Sequence, residues 1–434
     1  MTKLSAWKMA GAVLVLCAAT VIAAEAQTFS TLAEFDGTDG SRPEFMSLVQ
    51  GRDGHFYGMT SSSAFRISDQ GTLNSLTGVA SMNGLVLAVD GEFYGVATST
   101  LLFSITANGA LHYHGSVPGD AYGGLVQASD GYLYGTTFQG GAYGYGTIFK
   151  VSPRDYGLTI IHNFDGADGT QSYSTLIQAT DGNFYGTTYL GGDYDAGTVF
   201  KITPTGNFAI LHSFKPGDQG TQPTAGLVQA SDGNLYGTTY RGGTVFRIST
   251  NGDFQTICSL DGTPYGAVLI QATDGNLYGT AFGGGANGYG DVVKITLNGE
   301  FTVVHSFDNV DGANPWGGLV QGTDGKLYGA TTFGGDTNCS YPDGCGTVFS
   351  IDVSLGPFVA FVHGSGRVGQ TGGILGQGFT GTTSVSLNGT PAQFTVFSDT
   401  FIRATVPPGA TTGFVTVATP SGTLTSNVPF RVLQ

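Results

Sequence analysis

The sequence predicts an all-β protein, a seven-bladed β-propeller followed by an immunoglobulin-like β-sandwich. An Asp-Gly pair followed by a Tyr-Gly pair recurs seven times, with successive spacings of 37, 40, 51, 51, 42 and 50 residues. A period of this size is typical of propellers and repeat arrays. Each unit also contains four short apolar or β-branched segments bounded by turn residues, as a propeller blade requires. Glycine supplies 72 of 434 residues, which favours strands and tight turns over helices.

The N-terminal segment, residues 1–26, has the pattern of a secretory signal peptide. Lys3 and Lys8 precede an apolar run over 9–24, and Ala24-Glu25-Ala26 forms a small-residue cleavage site. An uncleaved membrane anchor is the alternative, but the run is short for a span. We therefore expect a secreted, periplasmic or cell-surface protein that does not insert into the membrane after cleavage at Ala26.

The repeats occupy residues 27–355. In the unit that begins at 226, the four segments are GLVQAS, NLYGTTY, GTVFRIS and DFQTICSL. Asp-Gly joins the first two segments, and such a pair is a strong signal for a tight hairpin. A single sheet of this kind cannot bury both of its faces, so the copies are expected to stack into one ring.

The segment 28–35, TFSTLAEF, precedes the first Asp-Gly unit and resembles the outer strand of later units, such as FTVVHSF at 301–307. The last unit contains only three strand segments before it leaves the pattern. We therefore predict that 28–35 completes the seventh blade, which would leave no open sheet edge at the junction of the two ends.

Two resemblances support this division of the chain. The pattern GLVQ(A/G)(S/T)DGxLYGTT, followed by GTVFKIT and LHSF, resembles the bacterial GloVer tandem repeat over 28–351, most specifically in units three to seven. Residues 356–434, with GQTGGILGQGF, SVSLNGTPAQF and IRATVPPGATTGFVTVATPSG, resemble the IPT/TIG domain. That second resemblance implies an immunoglobulin fold that acts as a spacer or a binding module.

The cysteines fit an exported protein. Cys339 and Cys345 flank the turn-forming segment SYPDG, and this spacing predicts a disulfide that closes a small loop. Cys258 lies in an apolar stretch, and a buried structural thiol is its expected state.

The charge distribution limits the class of partner. Residues 27–355 carry a formal charge of −18, whereas residues 356–434 carry +2. An acidic ring repels nucleic acid and other polyanions. The expected partner is therefore a glycan or a protein at the cell surface, and the protein itself is expected to be a monomer.

One end of the propeller is predicted to bind this partner. The turns between first and second strands, and between third and fourth, are tight, whereas the other connections are long, variable and rich in Gly and aromatic residues. Such loops on a rigid scaffold commonly form a recognition surface. The predicted ligand-binding residues are Tyr143, Tyr145, Tyr189, Tyr194, Tyr289, Trp316 and Tyr341. Packing of these rings within their own loops is the alternative.

The sequence FDGxDG and its variant FDNVDG pair carboxylates in turns at three places: Asp36 with Asp39, Asp165 with Asp168, and Asp308 with Asp311. Oxygen-rich turns of this kind suit calcium. Aspartate also caps turns without any metal, and no Glu follows at a fixed offset. Calcium is the one cofactor that the sequence suggests, and a purely structural turn is the alternative.

The sequence favours binding over catalysis. It contains no nucleophile elbow, zinc-ligand spacing or phosphate-binding loop, and a propeller does not by itself imply an enzyme. The expected function is that of a non-catalytic binding or scaffold protein that recognises a glycan or a protein through its long loops. A polysaccharide lyase or hydrolase, and a purely structural surface protein, are the alternatives.

Overall fold

The computed structural model describes residues 27–433, except 45, 82, 99, 218–219, 261–267 and 341–342. These described residues form only strands, turns and bends, with no helix, so no helix among them could cross a membrane. The predicted signal peptide, residues 1–26, lies outside the described residues. The all-β class expected from the repeats is confirmed.

In the repeat region, the described residues form seven antiparallel sheets of four strands each. The first four sheets, written from inner to outer strand, are β2 (Val49–Gln50), β3 (Phe56–Met59), β4 (Ala64–Ile67) and β5 (Leu73–Thr77); β6 (Val86–Leu87), β7 (Phe93–Val96), β8 (Leu101–Ile105) and β9 (Leu111–Ser116); β10 (Val126–Gln127), β11 (Leu133–Thr137), β12 (Thr147–Val151) and β13 (Leu158–Asn163); and β14 (Ile177–Gln178), β15 (Phe184–Thr188), β16 (Thr198–Ile202) and β17 (Phe208–Ser213).

The fifth, sixth and seventh sheets continue this order. They contain β18 (Val228–Gln229), β19 (Leu235–Thr238), β20 (Thr244–Ile248) and β21 (Phe254–Ser259); β22 (Ile270–Gln271), β23 (Leu277–Ala281), β24 (Asp291–Ile295) and β25 (Phe301–Ser306); and β26 (Val320–Gln321), β27 (Leu327–Thr331), β28 (Thr347–Asp352) and β1 (Thr28–Glu34). Strand β1 pairs antiparallel with β28, from Thr28 opposite Asp352 to Glu34 opposite Thr347. The prediction that the N-terminal strand completes the last sheet is confirmed.

The repeated Asp-Gly and Tyr-Gly pairs account for the shape of each sheet. In the fifth sheet, Gly233 has a φ of +83° in the turn after β18, a conformation that favours glycine. A Cβ atom on Gly237, in β19, would lie 2.6 Å from the Phe246 ring of β20. The second glycine therefore lets an aromatic ring pack directly on the strand beside it.

Adjacent sheets contact each other through buried aromatic rings. Tyr57 of the first sheet stacks on Phe93 of the second, with ring centroids 4.0 Å apart. Phe56 of the first sheet stacks on Tyr328 of the seventh, also at 4.0 Å. Because the first and last sheets are in contact, the sheets form a closed propeller in which each sheet buries the face of its neighbour.

A glutamine at the end of the inner strand also joins neighbouring sheets. The Gln178 amide donates to the carbonyl of Gly182 in its own turn and accepts from the backbone N–H of Ser129 in the preceding sheet. The same arrangement occurs at Gln50, Gln127, Gln229, Gln271 and Gln321. These side chains are structural, since both ends of each amide bond backbone groups.

The second sheet has Leu87 where the other inner strands have glutamine. Arg52 of the first sheet bridges this junction, because its guanidinium donates to the carbonyl of Val89 at 2.6 Å. The same guanidinium lies 4.9 Å from the centre of the Phe401 ring in the C-terminal segment. Arg52 therefore joins the first sheet, the second sheet and the C-terminal segment.

The C-terminal segment forms a separate β-sandwich. One sheet has the order β29 (Ala360–Phe361), β31 (Thr371–Leu375), β35 (Phe401–Thr405) and β34 (Phe394–Ser398), and the other has the order β33 (Thr390–Pro391), β32 (Ser384–Leu387), β36 (Val415–Thr419) and β37 (Gly422–Thr425). A parallel pair adds β30 (Ser365–Arg367) and β38 (Arg431–Leu433). Val359, Phe379, Ile402 and Val417 are completely buried between the sheets.

Candidate ligand-binding face

The tight-turn end of the propeller is in contact with the C-terminal segment. His363 Nε2 lies 2.9 Å from the carbonyl oxygen of Ala128 in the third sheet. Arg431 donates to the carbonyl of Thr180 in the fourth sheet at 2.8 Å. Across the ring, the Thr400 hydroxyl donates to the carbonyl of Arg52 in the first sheet at 2.8 Å. The C-terminal segment thus spans the ring at this end and covers the turns on both sides of it.

At the long-loop end, a buried pair of hydroxyls, here called a hydroxyl clasp, lies beneath the loops of five of the seven sheets. In the third sheet, the hydroxyls of Thr137 and Thr147 are 2.9 Å apart, at the two points where the loop leaves and rejoins the sheet. Equivalent hydroxyl pairs occur in the first, fourth, fifth and seventh sheets: Thr60 with Ser63, Thr188 with Thr198, Thr239 with Thr244, and Thr331 with Thr347. Each of these five loops is therefore anchored at its base by the same kind of hydrogen bond.

Four of the predicted tyrosines lie on the outer loops of three separate sheets, and we call them the rim tyrosines: Tyr143, Tyr145, Tyr194 and Tyr289. Their side chains are exposed, from 39% for Tyr289 to 63% for Tyr143. Tyr145 lies beside Gly166, and the Lys215 ammonium is 5.5 Å from the centre of the Tyr194 ring. Tyr145 and Tyr194 thus pack on neighbouring local structure, and the four rings lie on the loops of three separate sheets.

Tyr189 and Trp316 occupy a different position, closer to the inner strands. Tyr189 contacts Tyr173 with a centroid distance of 5.6 Å, and Trp316 contacts Phe282 at 5.0 Å. All four rings are half-buried. Tyr341, the seventh predicted residue, lies outside the described residues.

Together with their neighbours, these rings form two clusters, of which the sequence analysis predicted only Tyr189 and Trp316. Tyr173 also contacts Phe138 at 4.9 Å and Tyr122 at 5.3 Å. We call the two clusters together the aromatic arc, defined by Tyr122, Phe138, Tyr173, Tyr189, Phe282 and Trp316. The arc extends over the third, fourth, sixth and seventh sheets, on the inner part of the long-loop end.

A positional signal for the arc exists in the sequence. Tyr122, Tyr173 and Trp316 each lie five residues before the inner-strand glutamine, and Phe138, Tyr189 and Phe282 each lie four residues after the tyrosine of a Tyr-Gly pair. Comparing the repeats position by position would have found them. Selecting aromatic residues from the longest loops instead favoured the rim.

Amide side chains frame the arc. Gln171, Gln222 and Asn314 hold equivalent places before the inner strands, with φ values of 57°, 58° and 53°. Their backbone N–H groups donate to loop carbonyls of the preceding sheet, those of Tyr145, Ala196 and Tyr289. These residues adopt the left-handed conformation that glycine usually supplies, and they place amide side chains at these three junctions.

The paired aspartates of the FDG motifs lie in three separate turns. In the second turn, Asp165 Oδ1 accepts the backbone N–H of Asp168, and Asp168 Oδ1 accepts that of Asp165. Asp36 with Asp39, and Asp308 with Asp311, bond in the same reciprocal way. In each turn the two carboxylates therefore accept hydrogen bonds from each other's backbone, which is the structural role proposed as the alternative to calcium. Within the described residues, no group of three or more His, Cys, Asp or Glu side chains is placed to hold a metal ion.

The histidines of the outer strands complete two of these turns. His162 Nε2 is 2.8 Å from Asp168 Oδ2, and His305 Nε2 is 2.7 Å from Asp311 Oδ2. Burial by itself raises the pKa of the Asp168 carboxyl, but the hydrogen bonds from His162 and the Asp165 backbone outweigh burial and lower that pKa. The His162 ring also stacks on Phe208 of the next sheet. These groups therefore link neighbouring sheets.

Burial and the neighbouring phenols of Tyr122 and Tyr189 raise the pKa of Tyr173. The phenol in the middle of the arc is therefore neutral at physiological pH. The surface combines aromatic rings, amides and uncharged hydroxyls, a set that can stack on and hydrogen-bond to a ligand.

The remaining predicted pair, Cys339 and Cys345, forms a disulfide at the base of the long loop of the seventh sheet. The side chain of Cys345 is 3% exposed. Cys258, in the outer strand β21, is a free thiol that is half-buried, and burial raises its pKa to about 11.

Comparison with solved structures supports the propeller fold. A streptogramin B lyase is 14% identical, with a TM-score of 0.57, over 75% of this chain and 97% of that chain. A catalytically inactive virginiamycin B lyase from Staphylococcus aureus, determined with quinupristin, is 15% identical, with a TM-score of 0.56, over 75% and 99%. A fungal alcohol oxidase of the AA5 family, in complex with copper, is 12% identical, with a TM-score of 0.51, over 94% of both chains. At these identities the likeness concerns the fold.

Sequence comparison identifies the repeat. No protein of curated function matches the chain. The Gloeobacter/Verrucomicrobia repeat matches residues 81–268 and 261–390. The match therefore starts after the first Asp-Gly unit and continues into the C-terminal segment, whereas the resemblance seen in the sequence covered 28–351. Because the two matched stretches together span most of the sequence, the chain belongs to the Gloeobacter/Verrucomicrobia repeat family.

Proposed function

We propose that this protein is an exported, non-catalytic binding protein that recognises a glycan or a protein through the long-loop end of its propeller. The observation that carries this proposal is the difference between the two ends. The C-terminal segment bonds to the turns beside Ala128, Thr180 and Arg52, whereas the opposite end bears the aromatic arc and the exposed rim tyrosines. The clustered aromatic side chains therefore lie at the end opposite the one that the C-terminal segment contacts.

The setting of this activity follows from the sequence. The signal-peptide pattern of residues 1–26 supports export, so the protein would act in the periplasm, outside the cell or at its surface. We propose that residues 356–434 are an IPT/TIG-like domain that positions the propeller as a spacer. Acting as a monomer, the propeller would need no cofactor to bind its partner, and calcium at the paired aspartates remains a separate prediction.

A lyase or hydrolase that uses the same end is the second candidate. The likeness in fold to two lyases favours it, although many unrelated functions share this fold. Cleavage of the ligand is the property that separates this candidate from simple binding.

The test uses the exported chain, without residues 1–26, on a glycan array and in pull-downs from bacterial surface extracts. A variant with Ala at all four positions, Tyr143, Tyr194, Tyr289 and Trp316, should capture no ligand. Its melting temperature should stay within a few degrees of that of the unchanged chain. The control is Asn251→Ala, an exposed change at a tight turn, which should leave binding unchanged. Loss of binding in the control alone would contradict the proposed end, and shortened glycan products would favour the enzyme. Adding a chelator to the same assays tests the calcium prediction.

A further inference from the structure

We propose that the aromatic arc binds a neutral polysaccharide chain, laid across the inner part of the long-loop end. This inference rests on the proposed function and narrows it to one class of ligand. It also places the main contact with the ligand on the half-buried rings of the arc and not on the exposed rim tyrosines.

The arc consists of two ring clusters whose neighbouring rings meet edge to face or at a tilt. From Tyr122 to Tyr189, neighbouring centroids are 4.9–5.6 Å apart along Phe138 and Tyr173, and Phe282 with Trp316 forms a second such pair at 5.0 Å. The rings support one another, so each is held in place before a ligand arrives. Held rings lose little conformational entropy on binding, and their faces suit the apolar C–H surface of a sugar ring.

The side-chain amides beside the arc supply the polar contacts to the ligand. Gln171, Gln222 and Asn314 lie at successive or nearby junctions around the arc, each held by its backbone in the left-handed conformation. Oε1 of Gln222 is buried and has no hydrogen-bond partner among the described residues. A buried acceptor without a partner costs free energy, and a sugar hydroxyl is a donor that would satisfy it. Amides that both donate and accept suit ligands made of hydroxyl groups.

The charge of this end selects against acidic polymers. Lys215 and Arg42 lie over the Tyr194 and Phe333 rings, outside the arc. Beside Phe138 of the arc, Gln139 bonds to the Asp120 carboxylate, which adds a negative charge at that edge of the arc. With a net charge of −15 for the whole chain, a polyanion would be repelled, whereas a neutral chain would not.

The shape of the end favours a slender ligand over a protein surface. The arc residues are half-buried at the ends of the inner and second strands, whereas the rim tyrosines, on loops that extend beyond the strands, are exposed. A flat protein surface would meet the rim first and lose contact with the arc. A flexible chain of sugar units can enter between the loops and reach the rings.

Affinity electrophoresis of the chain without residues 1–26 tests the inference. The gels contain hydroxyethylcellulose, glucomannan, xyloglucan or laminarin, with polygalacturonate as the anionic probe. We expect retardation by at least one neutral polymer and none by polygalacturonate. Phe138→Ala and Tyr173→Ala should each weaken binding about tenfold, as loss of a stacked ring implies. Tyr173→Phe, which keeps the ring, should bind like the unchanged chain, and melting curves establish that each variant is folded.

Tyr113→Ala, at an exposed ring on the outer strand β9 of the second sheet, is the control and should retain full affinity. Tyr194→Ala tests whether the rim contributes to binding. Loss of affinity in Tyr194→Ala but not in the arc variants would overturn the arc as the site and leave the proposed function standing. Capture of a protein without retardation by any neutral polymer would overturn the glycan ligand and also leave the proposed function standing. Retardation that neither arc nor rim variants alter would contradict both. Preference for polygalacturonate would overturn the neutral class of ligand.

Discussion

The phenol of Tyr134 donates a hydrogen bond of 2.7 Å to Oδ2 of Asp130, four residues earlier in the chain. The other carboxylate oxygen accepts the backbone N–H of Tyr132 within the same turn. All seven repeats contain this arrangement, with phenol-to-carboxylate distances of 2.7–3.0 Å. The recurring motif is therefore a unit of folding, in which one carboxylate shapes a turn and fixes a buried ring.

Removing one phenol should test that unit. In Tyr134→Phe the ring remains, but Asp130 Oδ2 loses its donor in a partly buried place. We expect the free energy of unfolding to fall by about 1–2 kcal/mol, measured by urea denaturation. Tyr113→Phe, at a side chain that is 53% exposed, should change it by much less. Equal effects of the two variants would contradict the structural role of the motif.

The Asp181 turn predicts a loss of stability in acid. Burial by itself raises the pKa of this carboxyl, but hydrogen bonds from Asn183, Tyr185 and Lys201 outweigh burial and lower the pKa to about 2. An unfolded aspartate has a pKa of about 3.9, so this contribution is present above that pH and disappears as the pH falls toward 2.

Asp181→Asn should therefore reduce the slope of stability against pH between about pH 4 and pH 2. Denaturation midpoints measured across this interval provide the readout. Asp193→Asn, at an exposed loop carboxylate, is the control and should keep the original slope. A slope that Asp181→Asn does not change would show that the carboxylate contributes no folding energy.

Arg52 should be more important than the other surface cations. It replaces an inner-strand glutamine at the junction of the first two sheets and also contacts Phe401. Arg52→Ala should lower the free energy of unfolding by about 2 kcal/mol, since it removes a charged hydrogen-bond donor to the Val89 carbonyl and the contact with the Phe401 ring. Arg154→Ala, which removes the same charge from an exposed turn, should have little effect.

A second change can restore the junction. Leu87 occupies the place of the missing glutamine, and a glutamine there could accept the backbone N–H of residue 52, as Gln178 accepts that of Ser129. We therefore expect Leu87→Gln to recover part of the stability that Arg52→Ala loses. No recovery in the double variant would mean that Arg52 acts mainly through the C-terminal segment.

The cysteines predict a simple labelling pattern for the exported protein. Because Cys339 and Cys345 form a disulfide and burial raises the pKa of Cys258, alkylation of the folded protein without reductant should label almost no thiol. After reduction and unfolding, mass spectrometry should find all three modified. Labelling of Cys339 and Cys345 before reduction would contradict the disulfide.

Much of the propeller could be predicted from the sequence because its signals are local and repeated. The Asp-Gly turns, the four segments in each unit and the closing strand 28–35 could all be read from a comparison of one repeat with the next. Contacts between repeats are a different matter. Tyr122 and Tyr173 are far apart in the chain, and they meet only because the third and fourth sheets pack against each other.

No pattern in the sequence indicated that the C-terminal segment contacts the tight-turn end of the propeller. His363 and Arg431 bond to backbone carbonyls, and a carbonyl is present at every residue, so no pattern of side chains marks the partner. The longest loops, by contrast, attracted attention through their composition. The rim tyrosines were therefore found from the sequence, while most of the aromatic arc was not.

In the five sheets that have them, the buried hydroxyl clasps separate the folding of the sheet from the composition of its loop. The clasp of the fifth sheet joins Thr239 to Thr244, whereas that of the seventh joins Thr331 to Thr347, and the two hydrogen bonds are 2.7 and 2.9 Å long. The same kind of hydroxyl-to-hydroxyl hydrogen bond thus closes the base of a short loop and of a long loop. Evolution can lengthen, shorten or exchange these loops without altering the register beneath them, and a protein engineer could graft new loops between the same threonines.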